Sequence, residues 1–503
     1  MKHGTLLATA VLLTATMLTA GAGPARADGD LRKVKHVVVI VQENHSFDNY
    51  FGTLPYAPGS IYHSCSADHS RNDHRCVSGL DCTKNFDGSL NCTNSNPDLE
   101  GNTVVIYHQP NACSFSPDHD WHAAHHDGNW FHPADTIFYS PNDGFVRWNE
   151  PSDPTNTTMS YYTQDDLPFY YDLAQEFAID DNYHASVPGP TFPNRAYIYA
   201  ATSFGHLTTS ETLPPIPQGY LPITGDIMDL LDKYNVPWTD YYSEVPSTGY
   251  FRPFLSPHLV TIDQFAVDAA AGALPPVSWV EANFGVISPR AEESDEDPPA
   301  DIRAGPYFVS QVLNAVRNGP DWKSTVVFIT YDENGGFYDH VPLHEAPQAH
   351  AFNPDGIEPG QCADLSDPPQ SEQPGGGIQC TVSQENAAAI CPGFTSTGPY
   401  PPTCAHFNQL GFRVPIMVVS PFSKPHYVSH TLGDHTSILA FIEKRFMTKS
   451  GRAPSHPALT LRDANADTLE DLFDFSASPS KNAELPATPP QPSPSDPGCP
   501  FPE

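Results

Sequence analysis

The sequence predicts an α/β fold with a mainly parallel central sheet. Three short apolar runs rich in β-branched residues, 36–41, 325–330 and 414–420, are typical of strands that are buried on both faces. Helical patterns lie between them, at 224–234 and 306–317. Because helices alternate with buried strands, we expect helices to cover both sides of the sheet.

Residues 1–27 are predicted to be a signal peptide. An apolar, small-residue stretch covers 5–20, and the sequence Ala-Arg-Ala at 25–27 fits cleavage before Asp28. An uncleaved membrane anchor is the alternative, although the stretch is shorter than the about 20 apolar residues that span a bilayer. We therefore expect an exported protein, either secreted, periplasmic or at the cell surface, without stable membrane insertion.

The rest of the chain divides into a domain at 28–475 and a tail at 476–503. The tail is dominated by Pro, Ser and polar residues, a composition that buries little apolar area, and we predict it to be flexible. Nine of the ten cysteines lie in two segments of the domain, about 63–115 and 344–406. In an exported chain they indicate loop insertions held by disulfides, whose pairing the sequence does not give. Zinc is the alternative, but no pair has the C-x-x-C spacing that structural zinc usually uses.

The composition is strongly acidic and limits the partners. The full chain has 24 Lys and Arg against 59 Asp and Glu, and removal of residues 1–27 leaves 22 against 59, a net charge of −37. This charge argues against nucleic acid as a partner and opposes binding to anionic membranes. A zwitterionic lipid or a small phosphate ester can still reach a locally positive pocket. The oligomeric state is not predicted.

Polar side chains that suit a hard cation follow two of the apolar runs. Glu43 and Asn44 come after the run at 36–41, and Asp332 and Glu333 come after the run at 325–330. Sheets of this class bind ligands at the carboxyl ends of their strands, so two neighbouring strands would bring the four side chains together. Carboxylate and amide oxygens suit magnesium, calcium or manganese. Ordinary strand-ending turns have a similar composition, and the spacing alone leaves both interpretations open.

A Pro- and Gly-rich frame at 187–195 surrounds Thr191. Such a frame can fix the backbone of a nucleophile. A Thr hydroxyl is a poor nucleophile until a base or a metal lowers its pKa, so Thr191 would have to lie beside the predicted cation. An ordinary rigid turn is the alternative.

Six motifs, in order along the chain, resemble the signatures of the bacterial phospholipase C and acid phosphatase family. They are E-N-x-S-F-D at 43–48, G-P-T-x-P-N-R at 189–195, Y-D-E-x-G-G at 331–336, D-H-V at 339–341, F-R-V-P at 412–415 and D-H-T-S at 434–437. The matches extend over about 36–446, nearly the whole predicted domain.

The resemblance implies an alkaline-phosphatase-like three-layer α/β/α sandwich and the hydrolysis of a phosphoric ester, phospholipase C-like or acid phosphatase-like. It implies a divalent cation (Ca, Mg, Mn or Zn) bound by Glu43, Asn44, Asp332 and Glu333. It also implies that Thr191 is the nucleophile and forms a covalent phospho-enzyme. The motifs do not separate monoester from diester substrates.

The resemblance further implies catalytic roles for His119, His340 and Asn194. His119 is expected to bind phosphate or to protonate the leaving group. A solvated loop and a separate transition-metal site formed by the histidines of 119–126 are alternatives. His340 could instead cap its turn.

One position departs from the family pattern. Asp297 stands where relatives typically carry a histidine, and this puts acid catalysis from that position in doubt. We hypothesise that His184, just ahead of the Thr191 frame, compensates. A non-catalytic exported protein that binds metal or phosphate with the same fold is the alternative function.

Overall fold

The computed structural model describes residues 28–65, 72–129, 141–153, 155–207, 209, 219–252, 256–347, 354–356, 364–366, 407–448, 457–480 and 483–493. The predicted signal peptide and most of the second cysteine-rich insertion lie outside these ranges. None of the helices within them has the length and apolar character needed to cross a membrane.

An eight-stranded sheet forms the centre of the described part of the chain. In chain order its strands are β1 (His36–Gln42), β2 (Ala178–Asp180), β3 (Trp238–Tyr242), β4 (Leu259–Thr261), β5 (Val277–Glu281), β6 (Thr325–Tyr331), β7 (Ile416–Val419) and β8 (Tyr427–Ser429). Across the sheet their order is β4-β3-β5-β1-β6-β7-β2-β8. Strand β7 runs antiparallel to both of its neighbours, and the other neighbouring pairs are parallel. The predicted mainly parallel sheet is therefore confirmed.

The central strands β1 and β6 are buried on both faces. They pair in parallel from His36 with Thr325 to Gln42 with Tyr331. All seven residues of β6 and all but His36 of β1 are buried. Continuous Val and Ile runs suit this environment because both sides of each strand meet apolar neighbours. The two predicted runs thus form the middle of the core.

Helices cover the sheet on both faces. In chain order they are α1 (Phe47–Phe51), α2 (Trp121–Asp127), α3 (Phe145–Asn149), α4 (Pro168–Glu176), α5 (Thr191–Ala200), α6 (Ile227–Tyr234), α7 (Asp263–Ala271), α8 (Ala304–Asn318), α9 (His435–Phe446) and α10 (Leu461–Asn465). Helix α7 packs on α8, whereas α5 packs on α6 and α9. Helix α8 buries Val309, Val312, Leu313 and Val316, the spacing of an amphipathic helix. The α/β architecture predicted from the sequence is confirmed.

Disulfides hold the first cysteine-rich insertion. Cys65 pairs with Cys76 and Cys82 with Cys92, and Cys113 is also disulfide-bonded. The insertion contains short paired strands: His63–Ser64 with Cys76–Val77, Cys82–Lys84 with Leu90–Cys92, and Ser95–Pro97 with Thr103–Val105. The predicted disulfide-stapled loop insertion is confirmed for this segment.

Part of the segment predicted as a flexible tail contacts the domain. Ala483 and Leu485 pack on the core. The Arg317 side chain of α8 donates a hydrogen bond to the Ala483 carbonyl at 3.1 Å, and Asn314 donates one to the Thr488 hydroxyl at 2.9 Å. An extended Pro-rich backbone needs no partner strand, so it can lie along a helix through a few such contacts. Ala483, Leu485 and Thr488 of the predicted tail thus lie against the domain.

Candidate active site

The carboxyl ends of three neighbouring strands place acidic residues at one edge of the sheet. Glu43 follows β1, Asp332 follows β6, and Glu281 is the last residue of β5. Strand β1 lies between β5 and β6, so the three carboxylates come from adjacent strands. The Asp332 amide donates to the Gln42 carbonyl at 3.1 Å and extends the pairing of β1 with β6 past the last strand residue. The predicted convergence of the two strand ends is present.

Arg195 joins these carboxylates and fixes helix α5 above them. Its guanidinium lies 2.9 Å from Glu43 Oε1, 3.2 Å from Asp332 Oδ2 and 3.5 Å from Glu281 Oε2. Thr191 is the first residue of α5, one helical turn before Arg195, so both side chains lie on the same face of the helix. The ion pairs of Arg195 therefore place Thr191 over the strand ends.

A cavity of about 710 Å³ opens at this edge of the sheet. Thr191, Arg195, Glu43 and Asn44 all line it. Further polar lining comes from Asp118, His119, Asp120, Thr209, Ser247, Asp295 and Asp297, and apolar or aromatic lining from Pro117, Pro190, Val245, Tyr250, Phe284 and Val286. Asp332 and Glu333 are fully buried and are not part of the lining.

Asn194 is buried beneath the turn that carries Thr191. Its amide oxygen accepts a hydrogen bond from the Val187 N–H at 3.0 Å, and its amide nitrogen donates to the Gly189 carbonyl at 2.7 Å. Both ends of the side chain are thus engaged with the backbone of the turn. The structure gives Asn194 a place in holding the turn, rather than a place on the cavity wall.

Two glycines bring the loop after β6 against its neighbours. Gly335 has a φ of +60°, and a Cβ there would lie 2.1 Å from the Asn44 carbonyl oxygen. Gly336 has a φ of +70°, and a Cβ there would lie 2.6 Å from the Asp118 carbonyl oxygen. Only glycine fits both the left-handed backbone and these contacts. The close approach brings Glu333 next to the segment that carries His119.

The His119 side chain lies beside the acidic cluster. Its Nδ1 is 2.8 Å from the Pro117 carbonyl, which can only accept, so Nδ1 carries a proton. Its Nε2 lies 3.6 Å from Glu333 Oε1. Burial lowers the pKa of His119, but the Glu333 and Asp297 carboxylates outweigh it and raise the pKa to about 9. The imidazole is thus held in the charged form beside the cavity.

The carboxylates of the cluster are destabilised as anions. Burial, followed by the Asp332 charge, raises the pKa of Glu43 well above its usual range. Burial is also the main reason why the pKa values of Asp332 and Glu333 rise to about 7. The positive charges of Arg195 and His119 do not balance the negative charges of the surrounding carboxylates. A further positive charge would therefore stabilise the site.

Two buried oxygens support a cation at this cluster. Asn44 Oδ1 and Glu333 Oε1 are buried and have no hydrogen-bond partner among the described residues. Other buried oxygens of the described residues also lack a hydrogen bond, but these two belong to predicted ligands, and amide and carboxylate oxygens are the ligands of hard cations. In the described ranges, three groups of His, Cys, Asp or Glu side chains have ligand atoms close enough to share an ion. Glu43, Asp332 and Glu333 do not form such a group in this structure. Arg195 bridges Glu43 and Asp332 in this structure. The donor chemistry therefore fits a divalent cation, while two of the four donors contact Arg195.

Asp297 adds an acid to the cavity wall at the position where a histidine was expected. Its carboxylate accepts a hydrogen bond from the Asn44 amide nitrogen, which leaves Asn44 Oδ1 for another partner. Burial raises the pKa of Asp297, against the opposing charge of His119. The residue thus orients Asn44 and increases the negative charge, but it supplies no cationic donor.

The three histidines with predicted catalytic roles lie in different places. His119 lines the cavity, whereas His340 and His184 do not. His340 lines a second cavity of about 370 Å³, where its Nδ1 lies 2.6 Å from Asp48 Oδ2. His184 is buried, with Nδ1 2.8 Å from the Gly411 carbonyl, so the structure does not place it to replace the missing histidine. The histidines of 119–126 form no shared donor group in the described ranges.

Sequence reasoning missed Arg195 and Glu281. Arg195 is the last residue of the motif at 189–195, but its position four residues after Thr191 did not indicate a role for it. Glu281 ends the apolar sequence Val-Ser-Trp-Val at 277–280, which is the same signal that identified Glu43 and Asp332. The contacts of Arg195 join strands that are far apart in the chain, and a motif of seven residues does not contain that information.

Comparison with known proteins gives consistent results. The model described as "Phosphoesterase family" matches residues 34–449. "Non-specific phospholipase C1" of Arabidopsis thaliana is 30% identical over 461 residues, which cover 89% of the chain and 72% of that protein. "Non-hemolytic phospholipase C" of Burkholderia pseudomallei is 30% identical over 513 residues (92% of the chain, 62% of that protein). "Phospholipase C B" of Mycobacterium tuberculosis is 29% identical over 503 residues (91% and 81%). The family match includes the whole central sheet and all the residues of the acidic cluster.

Proposed function

The chain belongs to the phosphoesterase family, and we propose that this phosphoric ester hydrolase is a phospholipase C, with Thr191 as its nucleophile and a divalent cation as its cofactor. The observation that carries the proposal is the position of Thr191. It lies at the start of α5 on the wall of a cavity that also exposes Glu43 and Asn44, and Arg195 anchors the helix to the strand ends. Relatives that match most of the chain have names that specify a phospholipase C.

The shape and lining of the cavity favour a phosphodiester with a large alcohol. Its volume of about 710 Å³ is in the range of pockets that hold whole ligands, rather than a single phosphate. Val245, Tyr250, Phe284 and Val286 add apolar surface to the lining, and the Phe284 ring stacks on the Arg195 guanidinium at 4.8 Å. A phosphomonoesterase needs only a polar pocket for phosphate, whereas this apolar lining would also contact the alcohol of a larger diester.

In the proposed reaction the Thr191 hydroxyl attacks phosphorus and displaces the alcohol. The product of this step is a phosphothreonine ester, which water then hydrolyses. The amino end of α5 carries a partial positive charge and faces the phosphoryl oxygens of a substrate that reacts with Thr191. Asn194 holds the turn in place, and Arg195 fixes the helix. These contacts keep the hydroxyl in one position before the substrate arrives.

His119 is the proposed proton donor to the leaving alcohol. Its Nδ1 proton is held by the Pro117 carbonyl, so the proton on Nε2 is the one available for transfer. The pKa of about 9 keeps this proton in place at neutral pH until an alkoxide develops. His340 lies at the second cavity, and we assign it no step in this reaction.

Glu43, Asn44, Asp332 and Glu333 are the proposed ligands of the cation. When bound, a divalent cation lowers the pKa of a coordinated hydroxyl and neutralises charge on phosphoryl oxygens. Asn44 Oδ1 and Glu333 Oε1, which accept no hydrogen bond from the described residues, support this assignment. Oxygen donors favour calcium, magnesium or manganese over zinc.

We also propose that the protein is exported. The disulfides Cys65–Cys76 and Cys82–Cys92 persist in oxidising compartments. The predicted signal peptide at 1–27 agrees with this location. Detection of the protein outside the cytoplasm, with Asp28 as its first residue, is the expected result.

Turnover of two chromogenic esters tests the proposed reaction. Purified protein is assayed with p-nitrophenylphosphorylcholine and with p-nitrophenyl phosphate, each before and after treatment with a chelator. We expect preference for the diester, loss of activity with the chelator and recovery with a divalent cation. Equal activity in the chelator would reject the cation, and a preference for the monoester would reject the phospholipase C assignment.

A further inference from the structure

An exposed aliphatic pair lies at the mouth of the reaction cavity. Val286 and Ile287 are 71% and 78% exposed, and Val286 also lines the cavity. Single exposed apolar side chains are ordinary on protein surfaces. Two consecutive ones at the entrance to a binding cavity form a patch at a functional position, and such patches mark interaction sites.

The loop that carries this pair is held in a fixed conformation. The Glu244 carboxylate accepts hydrogen bonds from the backbone N–H groups of three consecutive residues: Val286 at 2.8 Å, Ile287 at 2.5 Å, and Ser288. A carboxylate bound by successive backbone amides fixes the loop around it. The two side chains therefore point outward because the backbone is held there, not because the loop lacks contacts.

A second exposed aliphatic group lies near the same cavity. Tyr250 lines the cavity, and Tyr220 stacks on it with ring centroids 6.3 Å apart. Leu221 follows directly and is exposed, and its carbonyl accepts a hydrogen bond at 2.7 Å from the N–H of Leu365, which is also exposed. Tyr220 itself is buried, so Leu221 and Leu365 form a separate exposed apolar group near the cavity.

We propose that Ile287, together with Val286, inserts into the surface of a zwitterionic phospholipid aggregate and brings the cavity to its substrate. The inference rests on the proposed function, because a phospholipid whose phosphate lies in the cavity keeps its acyl chains in the bilayer. The rim of the cavity must then touch the lipid surface, and an apolar rim is stabilised by that contact. The net charge of −35 opposes anionic lipid, so the aggregate is zwitterionic.

Binding to vesicles of phosphatidylcholine tests the surface directly. Three variants of the proposed exported form of the protein, which begins at Asp28, are compared with the wild type by co-sedimentation: Ile287→Ser, Ile287→Leu and the control Val267→Ser. Val267 is 57% exposed on α7 and does not line the cavity. We expect Ile287→Ser to weaken binding roughly tenfold, since the inserted side chain loses its apolar contact, and the other two variants to bind as the wild type does.

Several binding results would overturn the proposal. One is wild-type binding by Ile287→Ser, and another is an equal loss in Val267→Ser. Stronger binding to vesicles of phosphatidylglycerol than to those of phosphatidylcholine would overturn the zwitterionic assignment.

Hydrolysis of phosphatidylcholine in two physical states separates this proposal from the proposed function. Dihexanoyl phosphatidylcholine below its critical micelle concentration presents the same ester without a surface. We expect Ile287→Ser to keep wild-type kcat/KM on this monomer and to lose roughly tenfold on vesicles. Equal losses on both substrates would overturn the surface role. If the wild type cleaves neither substrate, the proposed function fails, and the vesicle-binding comparison still decides the surface.

Discussion

Two buried arginines, Arg195 and Arg413, each lie among carboxylates, and their surroundings differ in one respect. Arg413 binds Asp48 and Asp339 at 2.9–3.0 Å. All four oxygens of these two carboxylates accept hydrogen bonds. Around Arg195 the pKa of Glu43 is raised, and the nearby Asn44 Oδ1 has no partner in the described ranges.

The difference indicates which cluster is structural and which is a site. Burial raises the pKa of Asp339, whereas at Asp48 the effect of burial is outweighed by His340 and Arg413, which lower the pKa. Every oxygen of both carboxylates nevertheless accepts a hydrogen bond from the protein. The Arg413 cluster is therefore satisfied by the protein alone and joins α1 to the loops after β6 and before β7. At the Arg195 cluster the acids outnumber the cations, and the unsatisfied charge faces a cavity. A buried ion network that the protein completes holds the fold, whereas one left incomplete binds something else.

Removal of the Arg413 guanidinium should give the largest loss of stability. We expect Arg413→Met to lower the free energy of unfolding by about 3–5 kcal/mol, because it leaves Asp48 and Asp339 buried and unpaired. Urea unfolding measures the change.

The matched variant Arg195→Met exposes the contrast between the two clusters. This variant frees Glu43 and Asp332, which are two of the four proposed cation ligands. Binding of a divalent cation should therefore raise its Tm. Asp48, Asp339 and His340 also lie close enough to share an ion. The Tm of Arg413→Met should nevertheless respond less, because His340 still engages Asp48 Oδ2 through its backbone N–H and its Nδ1. An equal response of the two variants would remove the distinction between a structural cluster and a site.

Glu296 shows a third way to accommodate a buried acid and predicts a pH effect. Its carboxylate accepts hydrogen bonds from Tyr50, Tyr170, Tyr331 and Gln42, yet burial raises its pKa from 4.5 to about 7. Between these values the folded state holds a proton that the unfolded state has lost, so folding becomes less favourable as the pH rises through this window.

Glu296→Gln removes this proton. We expect the unfolding free energy of the wild type to fall by up to about 3 kcal/mol more than that of the variant between pH 4.5 and 7. Chemical denaturation at a series of pH values measures both curves. Parallel curves would show that this carboxyl is accommodated without a raised pKa.

A single ligand substitution should give the smallest effect. We expect Glu333→Gln to weaken divalent-cation binding by roughly 10- to 100-fold, since it removes one charge but keeps the shape of the side chain. Isothermal titration calorimetry of metal-free protein measures the affinity. Asp339→Asn, in the Arg413 cluster, is the control and should keep the wild-type affinity. An unchanged affinity in Glu333→Gln would remove this residue from the ligand set.

The central strands and most helices follow from the sequence because their signals are local. The run at 36–41 became β1, and the helical pattern at 306–317 became α8 (Ala304–Asn318). Asp434 caps α9, which begins at His435. Burial on both faces selects continuous β-branched residues, and a pattern of that kind is visible without the fold.

The site was only partly predictable, because its key contacts are long-range. The strand ends correctly indicated Glu43 and Asp332 as neighbours. The sequence did not separate His119, which lines the reaction cavity, from His340, whose ring contacts Asp48. Arg195 acquires its role from three strands at once. Residue types predict what a site contains, whereas tertiary contacts determine which of the residues take part.

Thr191 is the proposed nucleophile, and removal of its hydroxyl tests this role. The kcat of wild type, Thr191→Ser and Thr191→Ala is measured with p-nitrophenylphosphorylcholine, with circular dichroism as a control for folding. We predict that Thr191→Ala loses activity by roughly 1000-fold or more, whereas Thr191→Ser, which keeps a hydroxyl, retains measurable turnover. A folded Thr191→Ala protein with at least a tenth of wild-type kcat would contradict the account, since the nucleophile would then lie elsewhere.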